Sequence, residues 1–368
     1  MKIQFSKDNL LKAINALSKV SQNKTSSNLP GSIYITTKDN KVEMQANDYQ
    51  IGIKITVDAT LIEEGTIVLG MRYFQDWIRK TPSEIITLET NEQSNQLLIS
   101  TESSQFNLVT MDLDDFMLVD QIHDQYHIDI DGEKLKEMID LTNYAASTDQ
   151  NAFMYTGALL ESSDKELTMV ATNTYRMAIK KVALEEAVPN QMRMIIPTKT
   201  LAEVSRLLPV DNPTMVRIIW NRSQVAFIFD TVYLISRLIE ANFPDYNKVI
   251  PSTFDSSAVL NRRDFAGAVD RVSLLAKDAE YNVIRYDWNE TEVTLTAQNS
   301  DIGAAKEEVL CEFKGTPFTI SFNSKYISDI LRHSTGDLIH LYLKQNGPVV
   351  IRQDNNSNYT YVVTPIRK

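Results

Sequence analysis

The chain has 368 residues, 43% of them apolar, and carries 37 Lys and Arg against 48 Asp and Glu, a formal net charge of -11. That length predicts two or three domains with real cores, and an acidic chain of this kind holds nucleic acid only if its cations are gathered on one face. No run of 18 or more apolar residues is present to cross a membrane as a helix, the single cysteine, Cys311, has no internal disulfide partner, and the 11 glycines form neither a GxGxxG nor a P-loop pattern for a phosphate.

The opening MKIQFSKDNLLKAINALSKV reads as a charged amphipathic helix rather than a signal peptide, which predicts a soluble, cytoplasmic protein. Its apolar stripe is Leu10, Ile14 and Leu17. A polar turn, KDNK, then leads into VEMQANDYQIG at Val42 to Gly52, an apolar and polar alternation ending in Ala46 that marks the second strand of a hairpin. A shorter helical pattern follows at Phe74, Trp77 and Ile78, and strands run to the neighbourhood of Phe106.

The same order returns twice. Leu135, Met138, Ile139 and Thr142 start the second copy, LTMVATNTYRM at Leu167 to Met177 is its hairpin strand, Leu201, Val204, Leu207 and Leu208 form its short helix, and its strands end near Tyr233. Phe265, Val269 and Val272, then VTLTAQNSDIG at Val293 to Gly303, then Ile327, Ile330 and Leu331, then Tyr359, make the third. Ala46, Ala171 and Ala297 lie 125 and 126 residues apart. A period of this kind means one supersecondary unit used three times. The class is α+β: three similar repeats, each with two helices covering one face of β-sheet, at 1–124, 125–253 and 254–368.

The helix faces turned away from the sheet share a feature. Arg72 and Arg79, Lys199 and Arg206, and Lys325 and Arg332 sit seven residues apart at matching places of the three short helices, and Lys12 and Lys19 keep that spacing on the first long helix with Lys24 just beyond. Nearly two turns separate each pair, so both cations project from one side. Three copies of one cation pair point to a polyanion held along the helices. The long helix of the middle copy is the exception, because Glu137 and Asp140 make its outer face acidic.

One unit of the three is altered. Five places past the alanine the outer copies carry Ile51 and Ile302, and the middle copy carries Arg176. Phe243 matches Phe116, yet the middle copy continues Pro244, Asp245, Tyr246 where the first has Met117, Leu118, Val119. Units joined head to tail close into a ring when the rotation per unit divides a full turn, so two chains could supply six units, the first and third repeats meeting through Phe106 and Leu108 on one side and Leu274 and Leu275 on the other.

The opening MKIQFSKDNLLKAI, ATNTYRMA at Ala171 to Ala178, NFPDYNKVIP at Asn242 to Pro251, FNSKYISDIL at Phe322 to Leu331 and YVVTPIR at Tyr361 to Arg367, in this order and spacing, resemble the bacterial DNA polymerase III beta subunit, the sliding clamp. The resemblance spans the whole chain. It implies the DNA clamp fold, a homodimeric ring of six units with helices around duplex DNA, no catalytic activity, no cofactor, and a role in tethering polymerase to template. It also implies that short peptides of the polymerase catalytic subunit and the clamp loader dock at Tyr155, Thr172, Thr174, Tyr175, Arg176, Met177, Pro244, Lys248, Val249, Val362, Val363, Thr364, Pro365 and Ile366. An apolar groove of this composition suits Leu and Phe anchors, with Arg176 holding a carbonyl or acidic group of the peptide. The family pattern has Gly and a small polar residue or His at 174 and 175, an aliphatic residue at 155 and Arg at 248, so Thr174, Tyr175, Tyr155 and Lys248 alter the peptide preference.

Two other classes compete with that reading. An enzyme could use Asp112, Asp114 and Asp115 for Mg²⁺ or acid and base work, but the matching places hold Ile239, Ala241 and Asn242, then Pro365, Arg367 and Lys368. His123 and His127 have a metal-compatible spacing without a third ligand nearby, and His333 and His340 are far off in sequence. A scaffold that binds partner peptides without enclosing DNA is the second alternative.

Overall fold

Each long helix starts at a side-chain cap, and the three caps stand at matching places of the repeat. Ser6 Oγ accepts from the Asn9 backbone N–H at 3.3 Å, Asp131 Oδ1 from that of Glu133 at 2.9 Å, and Asn261 Oδ1 from those of Arg263 and Asp264 at 3.0 and 3.2 Å. Each satisfies donors that the first turn leaves open. The helices are α1 (Lys7–Ser21), α3 (Gly132–Thr142) and α5 (Arg262–Ala276), and the short ones are α2 (Met71–Lys80), α4 (Thr198–Leu207) and α6 (Ser324–His333). The residues described in this computed structural model are 1–21, 31–91, 95–123, 126–188, 191–209, 212–276, 282–345, 347–353 and 358–366. Lys24 and the repeat boundary at Asp124 lie outside them.

The predicted stripes are buried: Leu10, Ile14 and Leu17 on α1, Leu135, Met138 and Ile139 on α3, and Phe265, Val269 and Val272 on α5. The N-terminal expectation needs one correction. Lys2–Ser6 is a strand, not the start of the helix, because Ile3 and Phe5 alternate into the core and Ser6 then caps α1. None of the helices, among the described residues, is long and apolar enough to cross a membrane.

The chain forms two compact units that cut across the threefold repeat. The first is Met1–Glu133 with Arg206–Leu238, and the second is Lys134–Ser205 with Ile239–Lys368. Among the described residues, the first is built on a 13-stranded sheet and the second on a 12-stranded sheet, and every strand pairing in both is antiparallel. Within the first unit, Val232–Arg237 pairs with Ile51–Val57, placing Ile51 opposite Ser236 and Ile53 opposite Leu234. Within the second, Tyr359–Val363 pairs with Arg176–Ala183, placing Arg176 opposite Val363 and Ala178 opposite Tyr361. In both, the last strand of one repeat lies along the strand that follows the alanine of the repeat before it.

Candidate functional site: an apolar cavity beside Arg176

The alanine hairpins turn on one device used three times. Asp48, Asn173 and Asn299 each accept, through Oδ1, the backbone N–H groups two and three residues ahead. In the middle copy, Thr172 Oγ1 also donates to the Arg176 carbonyl at 2.7 Å, and the Thr364 N–H donates to the Tyr175 carbonyl at 2.8 Å. The C-terminal segment is thereby tied to the turn. Thr174 inside it has φ +75°, in the left-handed region that a β-branched residue avoids.

Above this turn lies a cavity of about 240 Å³ lined by Tyr155, Thr172, Thr174, Tyr175, Arg176, Met177, Phe243, Pro244, Asp245, Tyr246, Val249, Val362 and Thr364. Its floor is a cross-strand row: Thr172 stands opposite Met177, and Met177 opposite Val362. Strand alternation puts these three on one face. Phe243 forms a wall, edge-on to Tyr155 at 6.1 Å between ring centroids. Its loop is held open by polar contacts underneath. Tyr246 donates to Glu161 at 2.6 Å, Arg193 pairs with Glu161, and Arg193 Nη2 donates to the Phe243 carbonyl at 3.1 Å. Burial first, then Glu161, raises the Tyr246 pKa far above the ordinary phenol value, so its hydroxyl stays a donor.

Ten of the fourteen expected peptide-site residues line this cavity, and Lys248, Val363, Pro365 and Ile366 do not. Val363 is fully buried on the opposite side of its strand from Val362, where it is core. Lys248 is exposed and lies 3.4 Å from Asp245, while Pro365 and Ile366 are half-buried, the Ile366 N–H donating to the Ser321 carbonyl. Phe243, Asp245 and Tyr246 join the lining. Their signal was the NFPDYNKVIP motif, which places them beside Pro244.

Arg176 differs most from expectation. Its guanidinium does not reach for a ligand: Nη1 is 2.5 Å from Asp329 Oδ2, Nη2 donates to the Tyr144 carbonyl at 2.5 Å, and the group lies 4.7 Å from the Tyr326 ring centroid. Burial works against its charge, and the Tyr361 phenol and the Asp329 carboxylate outweigh that, so the pKa rises above the ordinary arginine value.

The first unit shows why its matching junction has a different surface. There the row is Asn47, Gly52 and Ile235, with glycine in the place of Met177. A Cβ on Gly52 would lie 2.8 Å from Val119 Cγ1. Val119 fills the space that Met177 fills with its own side chain, and its N–H donates to Gln45 Oε1 at 3.0 Å. The linker therefore lies down onto the sheet, packed with Ile122, Ile219, Ala226 and Ile235.

The expected cations are on the helix surfaces. Lys12, Lys19, Arg72, Arg79, Arg206, Lys325 and Arg332 are exposed and Lys199 is half-buried. Several also key helices together: Arg79 Nη2 donates to Asn15 at 2.8 Å and Arg332 Nη2 to Asp270 at 3.1 Å, at matching places of their repeats. Arg206 donates to the carbonyls of Asn15 and Ala16. Phe106 and Leu108 are half-buried, Phe106 stacks on Trp77 at 6.1 Å, Leu274 is 63% exposed and Leu275 is half-buried. Asp112, Asp114 and Asp115 are exposed, with Asp112 capping a 3-10 turn, and His127 lies on a strand rather than a helix. Among the described residues no group of three or more His, Cys, Asp or Glu is gathered to hold a metal.

Family models for the DNA polymerase III beta subunit match the N-terminal domain at residues 1–120, the central domain at 129–245 and the C-terminal domain at 247–367. The chain is 32% identical over 377 aligned residues to the beta sliding clamp of Staphylococcus aureus, covering 100% of this chain and 99% of that protein. The chain belongs to the DNA polymerase III beta subunit family. The chain also superposes on the crystal structure of the DNA polymerase sliding clamp from Bacillus subtilis, with a TM-score of 0.94, 27% identity and coverage of 100% and 99% of the two chains. A DNA polymerase III beta subunit from Eubacterium rectale gives a TM-score of 0.92 at 28% identity, with 100% of each chain covered. The family is one of processivity factors and is non-catalytic.

Proposed function

We propose that two copies of this chain close head to tail into a ring around duplex DNA, slide along it, and hold the polymerase catalytic subunit and clamp loader through short apolar peptides seated in the Met177 cavity. The single observation that carries the ring is a pair of unused strand edges. Among the described residues, Gln105–Val109 pairs only with Gln96–Ser100, and Gly303–Leu310 pairs only with Glu292–Asn299. These are the last strand of the first repeat and the post-alanine strand of the third. They are the two partners that the junction pattern leaves over, and Leu310 and Val109 are 78% and 72% exposed. An open strand edge of this length, with backbone groups unpaired along it, is a place where another chain can add.

Phe106 and Leu108 face the helices, as Leu234 and Ser236 do in the second repeat, and matching the two strands on that basis suggests the register. Phe106 then falls opposite Ala305 and Leu108 opposite Gly303 of the second copy, close to its Leu274 and Leu275. Head-to-tail contacts of this kind close a ring. Enclosure makes escape depend on opening an interface, so the helix cations Lys12, Lys19, Arg72, Arg79, Lys199, Arg206, Lys325 and Arg332, with Lys24, need only phosphate contacts that carry no sequence information. The units would be 1–124, 125–253 and 254–368, supported by the three matched family ranges, and the site of action is the cytoplasm. In the cavity, burial of Leu and Phe anchors supplies about 1.5–3 kcal/mol each.

The test is topological. Protein placed on circular DNA by its clamp loader should stay bound through high salt while the circle is closed, and leave when the plasmid is linearised. Loss from closed circles along the salt slope of an ordinary groove binder would sink the enclosure and favour the non-enclosing peptide scaffold.

A further inference from the structure

We propose that residues 112–120 and the turn at Tyr49 form a second docking surface, an apolar ridge rimmed by carboxylates that takes a basic amphipathic helix of a partner protein. It lies within the first compact unit and does not rest on the peptide reading of the Met177 cavity. The segment is held to the sheet at two points. Phe116 is buried and stacks on Tyr34 with 5.3 Å between ring centroids, and Val119 is buried with its N–H on Gln45 Oε1 at 3.0 Å. With positions 116 and 119 turned inward, Met117 and Leu118 between them are left 45% and 52% exposed. The Met117 carbonyl accepts from Asn47 Nδ2 at 3.3 Å, and Asn47 Oδ1 accepts from the Tyr49 N–H at 2.8 Å, so the exposed Tyr49 stands beside the ridge. One 3-10 turn earlier the Leu113 carbonyl accepts from the Phe116 N–H, and the Leu113 side chain is exposed as well.

Tyr49, Met117 and Leu118 stand at the places of Thr174, Pro244 and Asp245 in the middle repeat, which line the Met177 cavity. The first repeat keeps the location and inverts the relief. Val119 against Gly52 fills the groove, and large apolar side chains rise outside it. Apolar side chains grouped on a fixed backbone inside a polar rim mark an interaction surface.

The charge around the ridge sets the partner's chemistry. Asp112, Asp114, Asp115 and Asp120 are exposed on the same segment, before and after Met117 and Leu118. Two cations stand on the adjoining strands: Lys54, half-buried between Gln45 and Tyr233, and Arg237, whose N–H donates to the Gln50 carbonyl. The carboxylates outnumber them, so the rim repels a polyanion and attracts Lys and Arg. A ridge offers no pocket for an extended anchor. It fits an apolar stripe with basic residues on either side, which is what an amphipathic helix presents.

The experiment is fluorescence polarisation of the full chain with a labelled dodecamer that repeats Lys-Leu-Leu-Lys, against one that repeats Glu-Leu-Leu-Glu. The intact protein should bind the basic peptide, more weakly as salt rises, and the acidic one at least about tenfold less. Met117→Lys combined with Leu118→Lys changes only exposed positions and should lower affinity for the basic peptide about tenfold. Asp114→Asn, Asp115→Asn and Asp120→Asn together should weaken binding and flatten its salt dependence, with Asp112 left in place because it caps the 3-10 turn. Met177→Lys should leave binding unchanged, which separates this surface from the cavity.

Binding that ignores the Met117 and Leu118 lysines overturns the ridge. Equal binding of the acidic peptide, or binding of neither, overturns the basic partner. Assemblies larger than a dimer in sedimentation of the intact protein, lost in the double lysine variant, would make the occupant a second copy of this chain and overturn the proposal too. Circular dichroism of each variant separates these outcomes from misfolding.

Discussion

Lys180 Nζ lies 2.7 Å from Glu137 Oε1, and the lysine side chain is 5% exposed while the glutamate is half in solvent. This pair explains the acidic outer face of α3. Glu137 neutralises a lysine that the Arg176–Ala183 strand turns toward the helices, and Asp140 accepts from Ser205 Oγ at 2.7 Å with Lys136 3.5 Å away. Both acids serve the packing of their own unit. Removing one partner of such a pair leaves an uncompensated charge under the helix. Glu137→Ala should lower unfolding stability by about 1–3 kcal/mol, less than a fully buried pair because one partner is wet. Lys180→Met added to it should recover most of the loss in urea denaturation. Glu137→Lys, which would extend the cationic surface, should destabilise more than Glu137→Ala.

Thr174 gives the opposite sign. Its φ of +75° costs a β-branched residue roughly 1–2 kcal/mol, and glycine removes that cost while adding about 0.5–1 kcal/mol of chain entropy to lose on folding. Thr174→Gly should therefore stabilise by up to about 1.5 kcal/mol, seen as a rise in Tm by calorimetry. Thr174→Ala, which keeps a Cβ, should not reproduce that gain. A lower Tm for the glycine variant would show that the Thr174 side chain contributes more than its backbone costs.

Asp129 and Arg217 carry the pH dependence that geometry makes clearest. The Arg217 guanidinium donates to both carboxylate oxygens at 2.9 Å across the strands Tyr126–Asp131 and Met215–Trp220. Those hydrogen bonds, opposed by partial burial and helped by the charges of Arg217 and His127, hold Asp129 below the usual aspartate value. A depressed carboxylate adds stability above its unfolded pKa, near about 3.9, and that part is lost as pH falls through the lower folded value. In a carboxyl-carbon NMR titration, Asp129 should stay ionised to lower pH than a free aspartate, and Arg217→Met should move its midpoint up toward the ordinary value. An unchanged midpoint in that variant would remove Arg217 as the cause.

The repeat order, the helix stripes and the cations were legible in the sequence because each rests on local periodicity. Leu10, Ile14 and Leu17 announce their helix without reference to anything distant, and they are buried as expected. What the sequence did not show depends on partners far along the chain. Arg176 stood out as a charge among isoleucines, but its tie to Asp329 spans 153 residues, so its charge looked available when it is spent. The partner of the Tyr246 hydroxyl was hidden for the same reason, since it is Glu161, 85 residues away. Val363, expected at the peptide site, is fully buried, because strand facing is set by register and one step along a strand exchanges cavity for core.

Register also supplies the sharpest check of the ring. If Phe106 lies opposite Ala305 of a second copy, then Asn107 lies opposite Ala304, and both of these are exposed on the face away from the helices. Directly opposed residues of an antiparallel pair have Cα atoms about 4.5–5.5 Å apart, inside the range that a disulfide spans. Asn107→Cys combined with Ala304→Cys should form covalent dimers on mild oxidation, with two cross-links per ring and no tetramers on a non-reducing gel. Asn107→Cys with Ala305→Cys places the thiols on opposite faces and should stay monomeric on the same gel. Efficient cross-linking of the second variant and not the first would shift the interface by one residue and turn Phe106 and Leu108 away from Leu274. Failure of both, with the protein folded, would remove this strand pair from the ring's closure.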